Sequence, residues 1–282
     1  RSGAPRVWKL EENQDVDDLD DGQGGLRVFG ATEDIGLLDV YLTAEGVDLT
    51  DATPVHTGTG EGAATGYAQV HAGTYRLRIA GTGDVDDLRL DVSGVTVAAA
   101  AYVTLVLTAG SGGTLVHASL LTQQGALRTL RNTKARLRFV AGIAGRPALG
   151  ASWGDGTIAG ALTAPIVGPY ALVDAGTQAL ALRVNGAAAL TESHTLAAGA
   201  DCTLVALGTV AAPQLAWISH DNRLPSNSSR VKVRLVHGDA TLGALTLSVD
   251  YAVAASDVPV GSASGFATQA SSASARLDVS AA

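Results

Sequence analysis

The sequence is poor in the residues on which most active sites and disulfide scaffolds depend. It has no methionine, one cysteine (Cys202), three tryptophans, six tyrosines and three phenylalanines. A lone cysteine cannot build an internal disulfide framework. Cys202 aligns with Val103 in an apolar strand pattern, which indicates a small buried side chain and not a nucleophile. The lack of methionine and the start at Arg1 are typical of a chain that has lost a signal peptide.

Positive charge and long apolar runs are also scarce. The net charge is −8, with three lysines against sixteen arginines and no basic tract. Binding to nucleic acid depends on neutralising phosphates with Lys and Arg, so this composition argues against a nucleic-acid partner. The longest apolar stretch, Val95 to Ala109, is interrupted by threonines and is shorter than the roughly 18 to 20 residues that span a bilayer. We therefore expect no membrane span.

Catalytic motifs are missing. The stretch Gly261 to Gly265 reads G-S-A-S-G, with Ala263 where a nucleophile elbow needs serine. No G-K-S/T phosphate-binding sequence occurs, and the six histidines form no H-x-H or H-x-x-x-H pair of the kind that holds zinc. We predict a protein that is not an enzyme, with no catalytic residue and no cofactor-binding residue.

What the sequence does contain is a repeated strand pattern. Basic residues alternate with large apolar ones at 25–30, 134–142 and 229–238. This period of two is typical of a strand with one solvent-exposed face and one buried face. Turns rich in Gly, Asp, Pro and Ser separate the strands, and no segment has a helical period. The sequence therefore predicts an all-β fold.

The spacing of landmarks after each opening strand indicates tandem repeats. The intervals are 31 residues from Phe139 to Tyr170, 31 from Leu235 to Phe266, and 38 from Phe29 to Tyr67. The longer first interval contains a Gly/Thr-rich loop at 57–66. The predicted parts are an N-terminal donor-type strand (1–12), an acidic linker (13–25), repeat 1 (26–125), repeat 2 (135–225) and repeat 3 (230–282).

The two ends of the sequence show complementary defects. Repeats 1 and 2 continue for 40 or more residues past the strand that corresponds to the one ending at Val279, so repeat 3 is predicted to be incomplete. The N-terminal A-P-R-V-W-K-L-E-E is similar to A-P-Q-L-A-W-I-S-H, which closes repeat 2. The interval from Pro5 to Arg27 is 22 residues and that from Pro213 to Arg234 is 21, which places Trp8 near the position of Trp217. The N-terminus is therefore predicted to be the closing strand of another repeat.

Several motifs resemble a known family. L-D-V-Y-L at Leu38 to Leu42, G-Y-A-Q-V-H-A-G-T-Y-R-L-R-I at Gly66 to Ile79 and the late Y-V-T-L-V-L at Tyr102 to Leu107 are similar to the bacterial secreted repeat catalogued as domain of unknown function 4397. The resemblance implies tandem Ig-like antiparallel β-sandwiches on secreted, extracellular or bacterial cell-surface proteins. The family has no established activity, so the resemblance implies no chemistry.

One acidic cluster is a candidate metal site. Asp15, Asp17, Asp18, Asp20 and Asp21 lie within seven residues. Clustered carboxylates suit Ca²⁺, but the EF-hand pattern with its closing glutamate is absent. A solvated acidic linker is the alternative interpretation. If Ca²⁺ binds, we expect it to stiffen the joint between Trp8 and repeat 1.

Three functions remain open. The first is a non-enzymatic extracellular filament subunit, which self-associates head to tail when the N-terminal strand of one copy enters repeat 3 of the next. The second is a fragment of a tandem-repeat surface stalk, and the third is an adhesin whose loops bind a glycan or a partner protein. The residues predicted to take part in assembly are Val7, Trp8, Leu10, Phe266, Leu277 and Val279.

Overall fold

A computed structural model describes residues 6–110 and 112–281. The chain divides into two compact units, Arg1–Gly110 with Leu115–Asn132, and Ser111–Thr114 with Thr133–Ala282. The first unit is repeat 1, and the second holds repeats 2 and 3. Apart from strands, the described residues contain two short 3-10 helices, Val16–Asp18 and Leu49–Asp51. No helix in the described part of the chain is long and apolar enough to cross a membrane.

Repeat 1 is a sandwich of two sheets. One sheet has the strand order β4-β1-β7-β8-β9 and the other has the order β3-β2-β5-β6. The strands are β1 (Gln23–Ala31), β2 (Leu38–Thr43), β3 (His56–Thr59), β4 (Ala68–His71), β5 (Gly73–Gly81), β6 (Asp84–Val97), β7 (Tyr102–Ala109), β8 (Val116–Thr122) and β9 (Leu127–Leu130).

Repeat 2 has the same plan. Its sheets have the orders β13-β10-β16-β17 and β12-β11-β14-β15. The strands are β10 (Lys134–Ala141), β11 (Ala148–Trp153), β12 (Gly156–Thr163), β13 (Ile166–Asp174), β14 (Gly176–Val184), β15 (Ala187–Leu196), β16 (Asp201–Gly208) and β17 (Pro213–His220).

Repeat 3 contains only part of this plan. It has a three-stranded sheet, β21-β20-β24, and two short pairs, β18-β23 and β19-β22. The strands are β18 (Arg230–Val233), β19 (Val236–His237), β20 (Leu245–Val249), β21 (Ala252–Val258), β22 (Ser262–Ala263), β23 (Ala267–Ala270) and β24 (Leu277–Ala281). In the described part of repeat 3 no strand corresponds to β15, β16 or β17. The predicted all-β fold with an incomplete third sandwich is confirmed.

One feature of the sandwiches differs from the antiparallel prediction. The opening strand of each complete repeat pairs in parallel with a late strand, β1 with β7 and β10 with β16. The chain crosses to the second sheet and returns between these strands, and such long connections permit parallel pairing. Alternation of apolar residues does not depend on strand direction, so the parallel pairing could not be predicted from it.

The cores follow the alternation of the strands. In repeat 2, Leu137 and Phe139 of β10 are buried together with Cys202, Leu204 and Ala206 of β16. Repeat 1 has the equivalent set in β1 and β7, including Leu26, Val28, Val103, Leu105 and Leu107. Each core therefore depends on the parallel strand that repeat 3 does not have in its described part.

The first strand starts earlier than the apolar pattern predicted. β1 begins at Gln23, inside the predicted linker 13–25. Gly24 and Gly25 carry no side chain, so these positions show no apolar alternation. A Cβ on Gly25 would lie 2.3 Å from the ring of Tyr102, so the close approach of the two strands requires glycine at this position.

Repeats 2 and 3 pack directly on each other within the second unit. The outer face of the β16 and β17 sheet contributes Val205, Leu207 and Ile218, against which Ala216 and Ala263 pack. These three side chains are 1%, 2% and 6% exposed. The contact between the repeats is therefore an apolar joint and not only a linker.

Candidate assembly site

An arginine stacked on an aromatic ring marks the opening strand of every repeat. The guanidinium carbons lie 4.8 Å from the ring centre of Tyr67 for Arg27, and 4.6 Å from that of Tyr170 for Arg138. In repeat 3 the corresponding distance from Arg234 to Phe266 is 4.5 Å. Strand pairing places the aromatic residue beside the arginine in each case, because Leu26 pairs with Ala68, Arg138 with Tyr170, and Val233 with Ala267. The three repeats therefore share one outer-face geometry.

In the two complete repeats this arginine also binds the parallel strand. The Nε of Arg27 donates to the hydroxyl of Thr104 at 2.8 Å, and that of Arg138 donates to the hydroxyl of Thr203 at 3.1 Å. Both threonines are 1% exposed. The arginine thus satisfies a buried hydroxyl while the aromatic ring covers the guanidinium.

Arg234 of repeat 3 has a different set of partners. Its Nη1 donates to the carbonyl of Ser219 at 3.3 Å, and its Nη2 lies 3.2 Å from Nε2 of His220. Among the residues that the structure describes, no hydroxyl accepts from its Nε. Burial lowers the pKa of Arg234, and the positive charge of Arg138 acts in the same direction. Arg234 is therefore a half-buried cation in the opening segment of repeat 3.

Among the described residues, no strand lies along the side of β18 and β19 that faces away from β23 and β22, and we call this side the open edge. In repeat 2 the same side is paired, because the N–H of Arg136 donates to the carbonyl of Ala200 and the N–H of Gly142 to that of Ala206. Repeat 3 pairs β18 and β19 only with β23 and β22 in the described residues. Unpaired strand edges bind other strands readily.

Two apolar side chains of β24 lie uncovered next to the open edge. Strand pairing makes Leu277 equivalent to Leu180 and Val279 equivalent to Leu182, since Val249 faces Leu277 as Trp153 faces Leu180. Leu180 and Leu182 are 0% and 1% exposed, whereas Leu277 and Val279 are 62% and 55% exposed. We call these two side chains the open face.

Repeat 1 confirms that the open face is unusual. Its equivalent residues, Leu77 and Ile79 of β5, are 1% and 0% exposed. In both complete repeats these positions pack in one core with the late parallel strand. The exposure of the open face therefore follows from the absence of that strand in the described part of repeat 3.

Residues 6–12, which we call the N-terminal segment, pack on repeat 1 without forming a strand. The Trp8 ring lies edge-on to Phe29 with 5.6 Å between ring centres. Arg6 pairs with Glu61, and a carboxylate oxygen of Glu12 lies 4.0 Å from Arg27. Residues 1–5 of the predicted donor strand lie outside the described part of the chain.

The N-terminal segment occupies on repeat 1 the place that β17 occupies on repeat 3. A Cβ on Gly62 would lie 3.1 Å from Trp8, and a Cβ on Gly261 would lie 3.7 Å from Ala216. These glycines are equivalent, because each donates its N–H to the opening strand, Gly62 to Gly30 and Gly261 to His237. The closing-strand interpretation of the sequence is consistent with this placement.

The contacts of Trp8 define its position to within one residue of the predicted one. The sequence comparison placed it near Trp217, but its contacts match those of Ala216. Trp217 points to its own core, 5.8 Å from Trp153. Because neighbouring residues of a strand point to opposite faces, a shift of one residue exchanges the faces. Val7 is therefore equivalent to Leu215, and it is 93% exposed.

The predicted assembly residues do not form one surface. Leu277 and Val279 belong to the open face, while Phe266 lies on the outer side of the other sheet under Lys232 and Arg234. Trp8 and the half-buried Leu10 face repeat 1, and Val7 points away from it. Arg234 and its two equivalents were not among the predicted site residues. Their alternation with apolar residues predicted the strands, and it was also the pattern that marked these arginines.

The carboxylates of the acidic cluster do not converge on one point in the structure. Asp15 instead caps the first 3-10 helix by accepting from the N–H of Asp17. Within residues 6–110 and 112–281, no three His, Cys, Asp or Glu side chains converge in a way that could hold a metal ion. Calcium binding by Asp15, Asp17, Asp18, Asp20 and Asp21 stays a prediction of the sequence.

Cys202 lies in the core of repeat 2, on β16. It is 3% exposed, and burial raises the pKa of its thiol to about 11. A thiol with such a pKa is protonated at neutral pH and is a poor nucleophile. Its side chain therefore fills the core, as Val103 does in repeat 1.

The strand topology defines a chain of tandem β-sandwiches with one open member. Residues 135–248 match the family model described as Domain of unknown function (DUF4397). The match runs from repeat 2 into β20 of repeat 3 and confirms the predicted resemblance, although the motifs read from the sequence lie in repeat 1. No curated protein matches the chain.

Solved structures give weak similarities. One is reported as "a putative cell adhesion protein from Bacteroides uniformis ATCC 8492", with 11% identity, a TM-score of 0.29, and coverage of 71% of this chain and 98% of that chain. A second, with the same description, is from Bacteroides ovatus ATCC 8483, with 10% identity, a TM-score of 0.30, and coverage of 70% and 97%. Similarities at these TM-scores carry no argument, so the account of function starts from the geometry.

Proposed function

We propose that the protein is a non-enzymatic structural subunit of an extracellular or cell-surface assembly. In this proposal the N-terminal strand of one copy enters the open sandwich of repeat 3 in the next copy. The observation that carries it is the exposure of Leu277 and Val279, whose equivalents in both complete repeats are buried. A contact of this kind joins different surfaces of two copies, so it propagates head to tail unless it closes into a ring.

The acceptor end supplies both parts of a strand-addition site. The open edge is the position at which a strand would be added, and the open face offers apolar side chains. Burying Leu277 and Val279 would contribute roughly 1.5 to 3 kcal/mol each.

The donor end supplies a segment that already resembles a closing strand. The N-terminal segment lies on repeat 1 as β17 lies on repeat 3, and it directs Val7 away from its own repeat. In β17 the equivalent Leu215 packs against the core of repeat 2. A copy whose repeat 3 accepts this segment would therefore cover Val7 in the same way.

Electron microscopy and sedimentation of the purified chain test the proposal. We expect filaments or rings from the wild type, and their loss in Leu277→Asp, in Val7→Asp and after deletion of residues 1–12. Leu127→Asp is the matched control, because Leu127 is 64% exposed and Leu277 is 62% exposed, both on strands. The control should assemble normally. Val7 is 93% exposed, so its substitution leaves the fold of the single chain unchanged.

A second function is favoured by the apolar joint between repeats 2 and 3. A tandem array with such joints suits a surface stalk or an adhesin that holds a binding loop for a glycan or a partner protein. Wild-type chain that stays monomeric at all concentrations contradicts assembly and favours this alternative. Binding on a glycan array would then support the adhesin.

A further inference from the structure

The hairpin that joins β20 to β21 has a turn of unusual composition. Its two central residues, Asp250 and Tyr251, lie in the left-handed region, with φ angles of 47° and 69°. Glycine or asparagine usually fills such positions in a two-residue hairpin turn, because a bulky side chain there strains the backbone. Tyr251 is nevertheless 77% exposed at the tip of the hairpin. Core packing therefore does not explain this strained aromatic residue.

Repeat 2 shows that the fold does not require a tyrosine at this position. The turn between β11 and β12 is equivalent, and it places Gly154 and Asp155 where repeat 3 has Asp250 and Tyr251. In repeat 2 the glycine takes the left-handed conformation, with a φ of 54°. Asp155 is exposed in this complete sandwich. The accessibility of Tyr251 therefore does not depend on how many strands repeat 3 has.

Arg276, the residue before β24, holds the Tyr251 ring in place. Its guanidinium carbon lies 4.9 Å from the ring centre, and its Nη1 donates to the tyrosine hydroxyl at 2.9 Å. Its backbone N–H donates to the carboxylate of Asp250 at 2.8 Å. The guanidinium thus covers one face of a fixed ring, and the exposure of Tyr251 leaves the other face accessible to a ligand.

Polar groups that suit sugar hydroxyls lie beside the ring. Nε of Arg276 donates to the carboxylate of Asp278 at 3.0 Å, and their charges compensate. Nη2 of Arg276 donates no hydrogen bond within the described residues. The register places Ser248 beside Asp278, and the exposed Val253 beside Ser248. A guanidinium that donates and a carboxylate that accepts can bind adjacent hydroxyls of one sugar ring.

The sheet itself does not need charged residues at these positions. Repeat 2 has Ala179 and Ala181 where repeat 3 has Arg276 and Asp278. Exposed side chains that neither the turn nor the core requires are typical of binding sites on a rigid scaffold. Because the ion pair has no net charge, the site favours an uncharged ligand over an anion.

We propose that Tyr251, Arg276 and Asp278 form a binding site for an uncharged pyranose, with the C–H face of the sugar on the open face of the ring and two hydroxyls on the ion pair. The negative π-face of an aromatic ring attracts C–H groups. Arg276 fixes the ring before a ligand arrives, which lowers the entropic cost of binding. This inference goes beyond the proposed assembly and gives a ligand to the adhesin alternative.

Saturation-transfer-difference NMR of the full chain tests the inference. The probes are methyl β-D-glucopyranoside and methyl β-D-galactopyranoside at millimolar concentration. We expect saturation transfer to at least one of them, strongest at the C–H protons of one sugar face. No transfer to either sugar overturns the inference. Binding of glucose 6-phosphate more than about tenfold tighter than that of the uncharged sugars also overturns it.

Three variants assign the binding to the site. Tyr251→Gly removes the ring and adopts positive φ without strain, so it should lose saturation transfer and melt no lower than the wild type. Asp278→Ala copies repeat 2 and keeps the ring, and it should weaken binding about tenfold, as for a lost hydrogen bond to a charged group. Asp155→Gly, in the equivalent turn, is the matched control and should bind as the wild type does. Undiminished transfer in Tyr251→Gly or in Asp278→Ala overturns the inference.

Val7→Asp separates this inference from the proposed assembly. We expect this variant to lose assembly and to bind the sugars as the wild type does. Sugar binding by a wild-type chain that stays monomeric supports the inference alone. Assembly of a wild-type chain that binds neither sugar overturns the inference and leaves the proposed assembly standing.

Discussion

At the scale of single residues, one arginine side chain can make two interactions, a stack on an aromatic ring and a hydrogen bond to the neighbouring strand. Arg27, Arg138 and Arg234 each lie on an aromatic ring, which covers the guanidinium and limits its movement. In the complete repeats the same guanidinium bonds a threonine of the parallel strand. Repeat 3 keeps the first interaction in its described part and lacks the second. The residue-level signature of an open sandwich is therefore a stacked arginine whose Nε has no hydroxyl to bind.

Asp221 provides a prediction about pH. The side-chain hydrogen bond from Arg223 lowers the pKa of Asp221 from its ordinary value of 3.8 to about 2. A carboxyl group whose pKa is lower in the folded chain adds stability above about pH 4, and this stability is lost as the pH falls toward 2. The carboxylate side chain is 48% exposed, so the effect should be small.

The measurement is the melting temperature of the wild type and Asp221→Asn between pH 2 and pH 6. We expect the wild type to melt higher above pH 4 and the two curves to converge toward pH 2. Arg223→Gln should remove the same pH dependence. A difference that grows as the pH falls would contradict the assignment.

At the scale of secondary-structure elements, β14 and β24 form a matched pair inside one chain. Leu180→Ala removes a fully buried side chain and should lower the free energy of unfolding by about 2 to 5 kcal/mol. Leu277→Ala, at the equivalent position, should change it by less than about 1 kcal/mol in the single chain, because surface substitutions have small effects.

Urea denaturation at a concentration where the protein is monomeric measures both values. In assembled protein, Leu277→Ala should become as costly as Leu180→Ala. Equal destabilisation by the two substitutions in the monomer would show that the open face is covered within its own chain.

Some structural elements could be predicted from the sequence and others could not. The intervals between landmarks predicted three repeats and an unfinished third one, because alternation and spacing are properties of the chain itself. The parallel pairing of β1 with β7 could not be predicted, since strand direction leaves no mark on alternation. The sequence placed Trp8 near Trp217 but could not decide which face it occupies, because the short segment 6–12 has few landmarks and a shift of one residue exchanges its faces. The hydrogen bond from Arg138 to Thr203 joins residues 65 apart in the chain, so no local pattern could reveal it.

At the scale of the whole molecule, the proposed assembly joins the two ends of the chain. One end carries a segment that lies where a closing strand lies, and the other carries a sandwich with an open edge and an open face. A contact between these ends in different copies would place the N-terminal segment of one copy on the open sandwich of the next. The assembly would then be held by the same interactions that hold each repeat.

Amide hydrogen exchange compares the open and complete repeats most directly. Exchange is followed at residues 230–237 and 277–281 of repeat 3 and at the equivalent residues 134–141 and 176–184 of repeat 2, in monomeric and in assembled protein. Repeat 3 should exchange much faster than repeat 2 in the monomer and should reach similar protection on assembly. Strong protection of β18 and β24 in the monomer, or no gain in protection on assembly, would contradict the central claim that another molecule completes repeat 3.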